Sequence, residues 1–186
     1  MYQRVWYVRK IHIKRGYELK KYIIINGTMG AGKTTVGRRI AELLGRAAFI
    51  DGDFVIELHP HIDENHTKPM QRDNILHISK NYYNFDMCDS VVLSWIMGEV
   101  GTDMIVSEIS KLNFQVYHFI LTCNKEILTE RWHNDNTADW RTDENLNMAI
   151  EILAEFSNRT DCVLVDTSAM SVDMVAEEII ERVCAK

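Results

Sequence analysis

Proline and long apolar runs are scarce in this chain, and each shortage excludes a class of protein. Only two prolines, Pro60 and Pro69, occur in 186 residues, and no stretch rich in proline, glycine or serine divides the chain. That pattern argues against two domains joined by a linker, and the length suits one domain with a full core. No apolar run approaches the roughly 18 residues of a membrane span, so we expect no membrane association.

Paired cysteines are also missing. The chain has four cysteines, widely spaced, without a C-x-x-C pair and mostly in apolar surroundings. This arrangement favours free thiols in a reducing compartment over disulfides or a zinc site, and it predicts a cytoplasmic protein. The four are Cys88, Cys123, Cys162 and Cys184.

Basic residues are scarce outside the N-terminus. Residues 1–21 hold seven lysines and arginines against one acid, a net charge of +6. Because the whole chain carries −6, the other 165 residues sum to −12. Non-specific nucleic-acid binding depends on neutralising phosphates, so we expect no nucleic-acid partner and a small-molecule substrate instead.

The basic N-terminal extension, residues 1–21, has two interpretations. It contains no secretory apolar core of adequate length with a small-residue cleavage site. Because charge and composition change abruptly at its end, the extension is interpreted as upstream sequence before a true start near Leu19. The alternative is a genuine basic arm that packs as an extra strand or contacts a partner. The remaining residues, 22–186, are predicted to form one domain.

The most informative feature that is present is residues 27–34, which match the phosphate-loop pattern G-x-x-x-x-G-K-[ST]. A short apolar run before them, residues 22–26, predicts a buried strand. Residues 35–44 after them predict an amphipathic helix, with Gly45 where a helix would end. The apolar face of that helix consists of Val36, Ile40, Leu43 and Leu44.

The spacing of this loop has a chemical reason. Glycines let the backbone turn tightly with its N–H groups inward, and the following helix points its positive end at the same place. Lys33 can then reach the β- and γ-phosphates, and the Thr34 hydroxyl can hold Mg²⁺. The sequence therefore predicts binding of a nucleoside triphosphate, ATP, with Mg²⁺ held at Thr34; the predicted ATP-binding residues are Gly27, Thr28, Met29, Gly30, Ala31, Gly32, Lys33, Thr34 and Thr35.

Strands alternate with helices along the rest of the chain. Most of the predicted strands are apolar throughout, which indicates an α/β fold with a parallel sheet covered on both faces. The further strands are predicted at 47–51, 89–97, 114–122 and 162–166. The further helices are predicted at 67–85, 99–112, 124–133, 142–158 and 171–183, with Pro69 in the first turn of its helix and Asn124, Thr142 and Ser171 as caps.

Two classes of phosphate-loop protein are excluded by the residues beyond the loop. A GTPase needs N-K-x-D to recognise guanine, but Ile127 stands at the aspartate position after Asn124-Lys125-Glu126. A motor-type ATPase needs an acidic pair at the end of a strand, and the run that ends at Met97 has none.

An acidic motif at the end of the second predicted strand favours a kinase. Asp51-Gly52-Asp53 places two carboxylates at the carboxyl edge of the sheet, where ligands of open α/β sheets bind. Asp51 can support Mg²⁺, and Asp53 can orient an acceptor hydroxyl and take its proton. A plain turn is the alternative interpretation, since Asp-Gly is a common turn dipeptide.

These motifs, with residues 121–131 and 163–168, resemble the small phosphate-loop kinases of the shikimate/gluconate kinase and nucleoside monophosphate kinase superfamily; Phe49–Phe54 is most similar to gluconate kinases and the nucleotide-kinase-like proteins near them. The resemblance covers residues 22–185. It implies a three-layer sandwich with a five-stranded parallel sheet of order 2-3-1-4-5 and a lid around 133–142. It also implies catalytic lid arginines at Arg131 and Arg141 and adenine contact near 167–170. The lid departs from the family pattern, because residues 133–140 are acidic and contain no second arginine near the first.

Acceptor residues are expected between the second and third strands. His59, His61 and His66 form a polar cluster there that is interpreted as substrate recognition, a solvated loop or a metal site. Lys68 and Arg72 lie four residues apart and can bind an anionic acceptor, or can form a surface face. The insertion 54–58 delays the His-Pro pair relative to gluconate kinases, which argues against the same substrate.

The predicted function is ATP- and Mg²⁺-dependent phosphoryl transfer to the hydroxyl or phosphate of a small-molecule acceptor, such as a sugar acid, with Lys33, Asp53, Arg131 and Arg141 as catalytic residues. The alternatives are a nucleoside or nucleotide kinase and an ATP-binding regulatory protein without an acceptor. The sequence does not identify the acceptor or the oligomeric state.

Overall fold

The computed structural model describes residues 19–60, 62, 64–135 and 140–185. Five parallel strands form one sheet of order β2-β3-β1-β4-β5, which confirms the predicted order. The strands are β1 (Lys21–Gly27), β2 (Ala47–Asp51), β3 (Ser90–Ser94), β4 (Gln115–Thr122) and β5 (Val163–Asp166).

Helices cover both faces of this sheet. Thr142 and Ser171 cap their helices as predicted, since each side chain accepts a hydrogen bond from the backbone N–H three residues later. Asn124 occupies the predicted cap position, but its side chain makes no capping hydrogen bond. The helices are α1 (Lys33–Leu44), α2 (Glu64–Asn84), α3 (Glu99–Ser110), α4 (Lys125–Asn134), α5 (Asp143–Phe156) and α6 (Val172–Cys184), and a 3₁₀ turn spans Gly52–Phe54.

The central strand β1 distributes its side chains between two cores. Ile23 and Ile25 pack on one face with residues of α1 and α6. Tyr22 and Ile24 pack on the other face with residues of α2 and α3. Because successive side chains of a strand point to opposite faces, a strand buried on both sides is apolar at nearly every position. This explains the apolar run before the phosphate loop.

Three local predictions are corrected. Helix α2 begins three residues before Thr67, so Pro69 lies in its second turn. Strand β3 ends at Ser94, three residues before the predicted end, and the backbone of Met97 bonds the side chain of Asn26 instead of a neighbouring strand. Leu43 is 41% exposed near the end of α1, whereas the rest of that face packs inward.

The domain also begins slightly earlier than the predicted boundary. Lys21 opens β1, and the Lys20 ammonium donates to the carbonyls of Tyr83 (2.7 Å) and Phe85 (2.8 Å) at the end of α2. Residues 1–18 of the predicted extension lie outside the described residues. Within the described ranges, no helix has the length and apolarity needed to cross a membrane.

Candidate active site

The phosphate loop connects the carboxyl end of β1 to the start of α1. Three glycines of the loop have backbone conformations that favour glycine, with φ of +146° at Gly27, +78° at Gly30 and +91° at Gly32. Gly32 occupies the N-cap position of α1 and has no side chain to bond the free N–H groups of the first turn. Those N–H groups and the positive end of α1 therefore face the loop, an arrangement that suits an anion.

Lys33 lies inside this loop, where its ammonium donates to the carbonyl of Thr28 at 3.0 Å. Burial lowers the pKa of Lys33 to about 8, although the carboxylates of Asp53 and Asp51 act in the opposite direction. The Thr28 hydroxyl donates in turn to the carbonyl of Ala149 on α5 at 2.7 Å, which fixes the loop to the domain. The Lys33 ammonium is thus held at the loop by a backbone carbonyl, with two carboxylates nearby.

The acidic motif lies beside the loop, as the sequence predicts. The Thr34 hydroxyl donates to Asp51 Oδ2 at 2.9 Å, and the backbone N–H of Asp53 donates to Asp51 Oδ1 at 3.2 Å. Asp51 is buried, whereas Asp53 is exposed at the surface of the cleft. A hydroxyl next to a carboxylate, both of them hard oxygen donors at a phosphate site, suits Mg²⁺.

Trp95 fixes the position of this motif. A Cβ on Gly52 would lie 2.3 Å from Trp95 Cγ, so only glycine fits between the two aspartates. The Gln71 side-chain amide of α2 donates to the carbonyl of Gly52 at 3.4 Å. The orientation of Asp53 therefore depends on the segment after β3 and on α2, as well as on the strand that precedes it.

A cleft of 620 Å³ opens over the loop and brings both predicted arginines to it. Arg131 donates to the Thr167 hydroxyl at 2.9 Å and to the Thr167 carbonyl at 2.8 Å. Met170, Val172 and Val175 add an apolar wall next to it. The segment expected near adenine thus lines the same cleft as the phosphate loop.

Arg141 also lies against the phosphate loop, and its side chain is 13% exposed. It is ion-paired with Asp135, and its guanidinium lies over the rings of Trp132 and Trp140. Lid positions 136–139 are outside the described residues. The catalytic role of the lid and its arginines therefore stays a prediction.

The predicted acceptor residues lie on and before α2, beside the acidic motif. Lys68 is exposed one turn before Gln71, and Arg72 donates to Met104 Sδ of α3 at 2.6 Å. His59 is exposed next to Glu57. His61 lies outside the described residues, and within the described ranges no group of three or more His, Cys, Asp or Glu side chains is placed to hold a metal ion.

Asn26 is a site residue that the sequence motifs did not reveal. Its fully buried side-chain oxygen accepts from the N–H groups of Gly27 (2.8 Å) and Met97 (3.0 Å), and its amide donates to the Met97 carbonyl at 2.7 Å. These bonds join the start of the phosphate loop to the segment after β3. The sequence signal for this role was a side-chain amide at the end of an apolar strand, because a buried polar group needs hydrogen-bond partners.

Fold and cleft define a phosphate-loop nucleotide-binding enzyme of the three-layer α/β type, and the family model described as "AAA domain" matches residues 23–151. The shikimate kinase of Actinobacillus pleuropneumoniae serotype 5b (strain L20) is 30% identical over 177 residues, covering 88% of this chain and 96% of that relative. The chain belongs to the family of small phosphate-loop kinases that includes the shikimate kinases, and it catalyses ATP-dependent phosphoryl transfer to a small-molecule acceptor.

Solved structures agree on the architecture. The Deinococcus radiodurans tunicamycin resistance protein is 21% identical, with a TM-score of 0.65 over 90% of this chain and 97% of that protein. A gluconokinase from Sinorhizobium meliloti 1021 is also 21% identical, with a TM-score of 0.59 over 89% of this chain and 94% of that enzyme. At these identities the two similarities show the fold alone.

All four cysteines are free thiols, as predicted.

Proposed function

We propose that the enzyme phosphorylates a hydroxyl or phosphate of a small anionic metabolite, such as a sugar acid, in the reducing cytoplasm. The single observation that carries this proposal is the meeting of the phosphate loop and the Asp51-Gly52-Asp53 motif in one cleft, joined by the Thr34–Asp51 hydrogen bond. The shikimate kinase relative acts on shikimate, which is a hydroxy acid, and this supports the acceptor class.

The donor end of the proposed mechanism uses residues 27–35. Backbone N–H groups and the positive end of α1 bind the ATP phosphates. Lys33, taken to be protonated once phosphates approach, offsets the charge that develops on the transferred group. Mg²⁺ would be held by Thr34 with support from Asp51, where it would neutralise phosphate charge.

The acceptor end depends on Asp53. Its carboxylate is exposed to the cleft and close enough to Lys33 to affect the pKa of that ammonium. That position lets Asp53 accept the proton of an acceptor hydroxyl while Lys33 faces the phosphoryl group. Most of the acceleration would come from positioning and charge neutralisation, since phosphoryl transfer needs little covalent chemistry from the protein.

The two arginines are assigned different contacts. Arg141 lies against the phosphate loop, so it is proposed to contact the phosphates and stabilise charge during transfer. Arg131 is bound to Thr167 in the segment proposed to contact adenine, so it is proposed to support the base from that side of the cleft.

Lys68 supports an anionic acceptor. It lies on the same side of α2 as Gln71, because residues three apart on a helix are neighbours, and Gln71 contacts the acidic motif. An exposed ammonium on this side of α2 can pair with a carboxylate or phosphate on the acceptor. A nucleoside or nucleotide acceptor is the second candidate, and the same position of Lys68 supports a nucleotide phosphate.

A coupled ADP-release screen tests the proposal. Sugar acids, shikimate, nucleosides, nucleoside monophosphates and antibiotics are offered with Mg·ATP to the wild type and to Lys33→Ala. We expect one acidic metabolite to raise ADP production well above the Lys33→Ala background. A clear preference for mononucleotides would replace the sugar-acid proposal with the second candidate, and no response to any acceptor would favour a regulatory ATP-binding role.

A further inference from the structure

The Arg141 guanidinium is pressed against the phosphate loop. Its Nη1 lies 3.7 Å from the position that a Cβ on Gly30 would take. Gly30 also contacts Trp132, since the same Cβ position is 3.4 Å from the Trp132 ring. The arginine and the indole thus approach the loop at one glycine, where the missing side chain makes room for both.

Two indole rings surround this arginine. The Arg141 Cζ lies 5.0 Å from the ring centroid of Trp132 and 5.3 Å from that of Trp140. The rings meet edge to face, with centroids 5.5 Å apart and an interplanar angle of 85°. Trp132 is 2% exposed and Trp140 is 48% exposed. The rings therefore restrict the guanidinium from two directions, one from the core and one from the surface.

The flat faces of the guanidinium contact the indoles, whereas the N–H groups at its edges are the hydrogen-bond donors. Asp135 accepts from Nη2, whereas Nε and Nη1 are buried and have no hydrogen-bond partner among the described residues. An indole attracts a cation through its π face, so it can hold an arginine without occupying the N–H groups. Two N–H-bearing nitrogens are therefore buried at the loop without a partner among the described residues, and phosphate oxygens would satisfy them.

We propose that Trp132 and Trp140 are positioning residues that hold Arg141 over the phosphate loop, with Asp135 fixing the remaining edge. The clamp consists of Trp132, Asp135, Trp140 and Arg141. It fixes the one arginine at the end of a lid sequence that has no second arginine near the first. The proposal rests on the proposed phosphate contact of Arg141, and it adds the two indoles as determinants of ATP affinity.

Trp140 is the better residue to test because it is half-exposed and its replacement leaves the core intact. The Kd of Mg·ATP is measured for the wild type, Trp140→Leu and Trp140→Phe. We expect Trp140→Leu to weaken binding about 3- to 30-fold, the range of one cation–π contact, and Trp140→Phe to restore most of the loss. Phe85→Leu, at an exposed aromatic after α2, is the matched control and should bind ATP like the wild type.

A double-mutant cycle separates positioning from packing. In an Arg141→Met background, Trp140→Leu should cause no further loss, because the cation that the ring holds is gone. An equal loss in both backgrounds, or no loss in Trp140→Leu alone, overturns the clamp. Thermal melting confirms that each variant is folded.

Lys33→Met and Arg141→Met distinguish failure of the clamp from failure of the proposed function. If Lys33→Met weakens Mg·ATP binding and Arg141→Met does not, Arg141 makes no phosphate contact and the clamp is overturned with it. If neither variant weakens binding, the phosphate site itself is wrongly assigned.

Discussion

The donor and acceptor ends of the cleft are built in different ways. At the donor end, Asn26 and Thr28 are fully buried and their side chains fix the loop to distant backbone. At the acceptor end, Phe54 is 81% exposed beside Asp53, and Lys68 is exposed on α2. The donor end is therefore a rigid part of the domain, whereas the acceptor end presents side chains to solvent.

The donor end therefore carries the phosphate binding that members of the family share, and the acceptor end carries the substrate recognition that differs between them. Backbone N–H groups and a helix end recognise phosphate whatever the neighbouring side chains are, so one loop can serve many kinases. Acceptor recognition needs particular side chains at particular positions, and these vary on exposed surfaces. Changes at the two ends are thus expected to have separable effects on ATP binding and on transfer.

Replacement of Asp53 by asparagine gives the largest expected difference between the effect on phosphoryl transfer and the effect on ATP binding. Asp53→Asn keeps the shape of the side chain but cannot accept a proton, so we expect kcat to fall about 10²- to 10⁴-fold. The Kd of Mg·ATP should change by less than about threefold when it is measured about two pH units below the pKa of Lys33, where this ammonium stays charged without its neighbouring carboxylate. Steady-state kinetics and calorimetry measure the two quantities, and Asp86→Asn, at an exposed aspartate after α2, is the control. Unchanged turnover would remove Asp53 as the base.

Gly52→Ala tests whether the acidic motif depends on its packing. The added Cβ would lie 2.3 Å from Trp95 Cγ, so we expect a loss of about 1–3 kcal/mol in the free energy of unfolding. Displacement of Asp53 should also lower kcat. Gly98→Ala is the matched control, since a Cβ there meets nothing within 4 Å. Equal stability of the two variants in urea unfolding would contradict the packing argument.

The pH dependence of ATP binding tests the donor end alone. Burial lowers the pKa of Lys33 to about 8, so its ammonium is charged below that pH and neutral above it. Bound phosphates favour the charged form, so the affinity for ATP should fall by up to about tenfold per pH unit above pH 8, with proton uptake on binding. The same low pKa means that the ammonium opposes folding below pH 8, and this penalty disappears as the pH rises toward the unfolded-state value.

Calorimetry in buffers of different ionisation enthalpy measures the proton uptake. The Lys33→Met variant should show weaker binding with little dependence on pH in this range, since its side chain does not titrate. An equally steep pH profile in that variant would mean that another group controls the dependence.

Replacement of Lys68 gives the smallest expected effect, confined to the acceptor. Lys68→Ala should raise the KM of an acidic acceptor about 1.5- to 5-fold, because an exposed charge pair contributes only about 0.2–1 kcal/mol. The KM of ATP should not change. Lys80→Ala, at an exposed lysine further along α2, is the control. A larger effect on ATP than on the acceptor would place Lys68 at the donor end.

The donor loop was predictable because it depends on local spacing, whereas the order of the sheet was implied by the resemblance to small phosphate-loop kinases. Glycines, lysine and threonine at fixed intervals between an apolar run and an amphipathic run specify strand, loop and helix together. Helix ends at Thr142 and Ser171 were predictable for the same reason, since a cap bonds an N–H three residues away. The early start of α2 was not predictable, because Pro69 is tolerated beyond the first turn in this tertiary context.

By itself, then, the sequence determined the class of enzyme, the phosphate loop and the acidic motif, all of which are encoded by residues close together in the chain. Only the tertiary structure decided how the loop is supported, because Thr28 bonds Ala149 and Asn26 bonds Met97 across long sequence separations. It alone also brought Arg141 against Gly30 between two indoles. Such contacts depend on how helices pack on the sheet, and no local spacing encodes that packing.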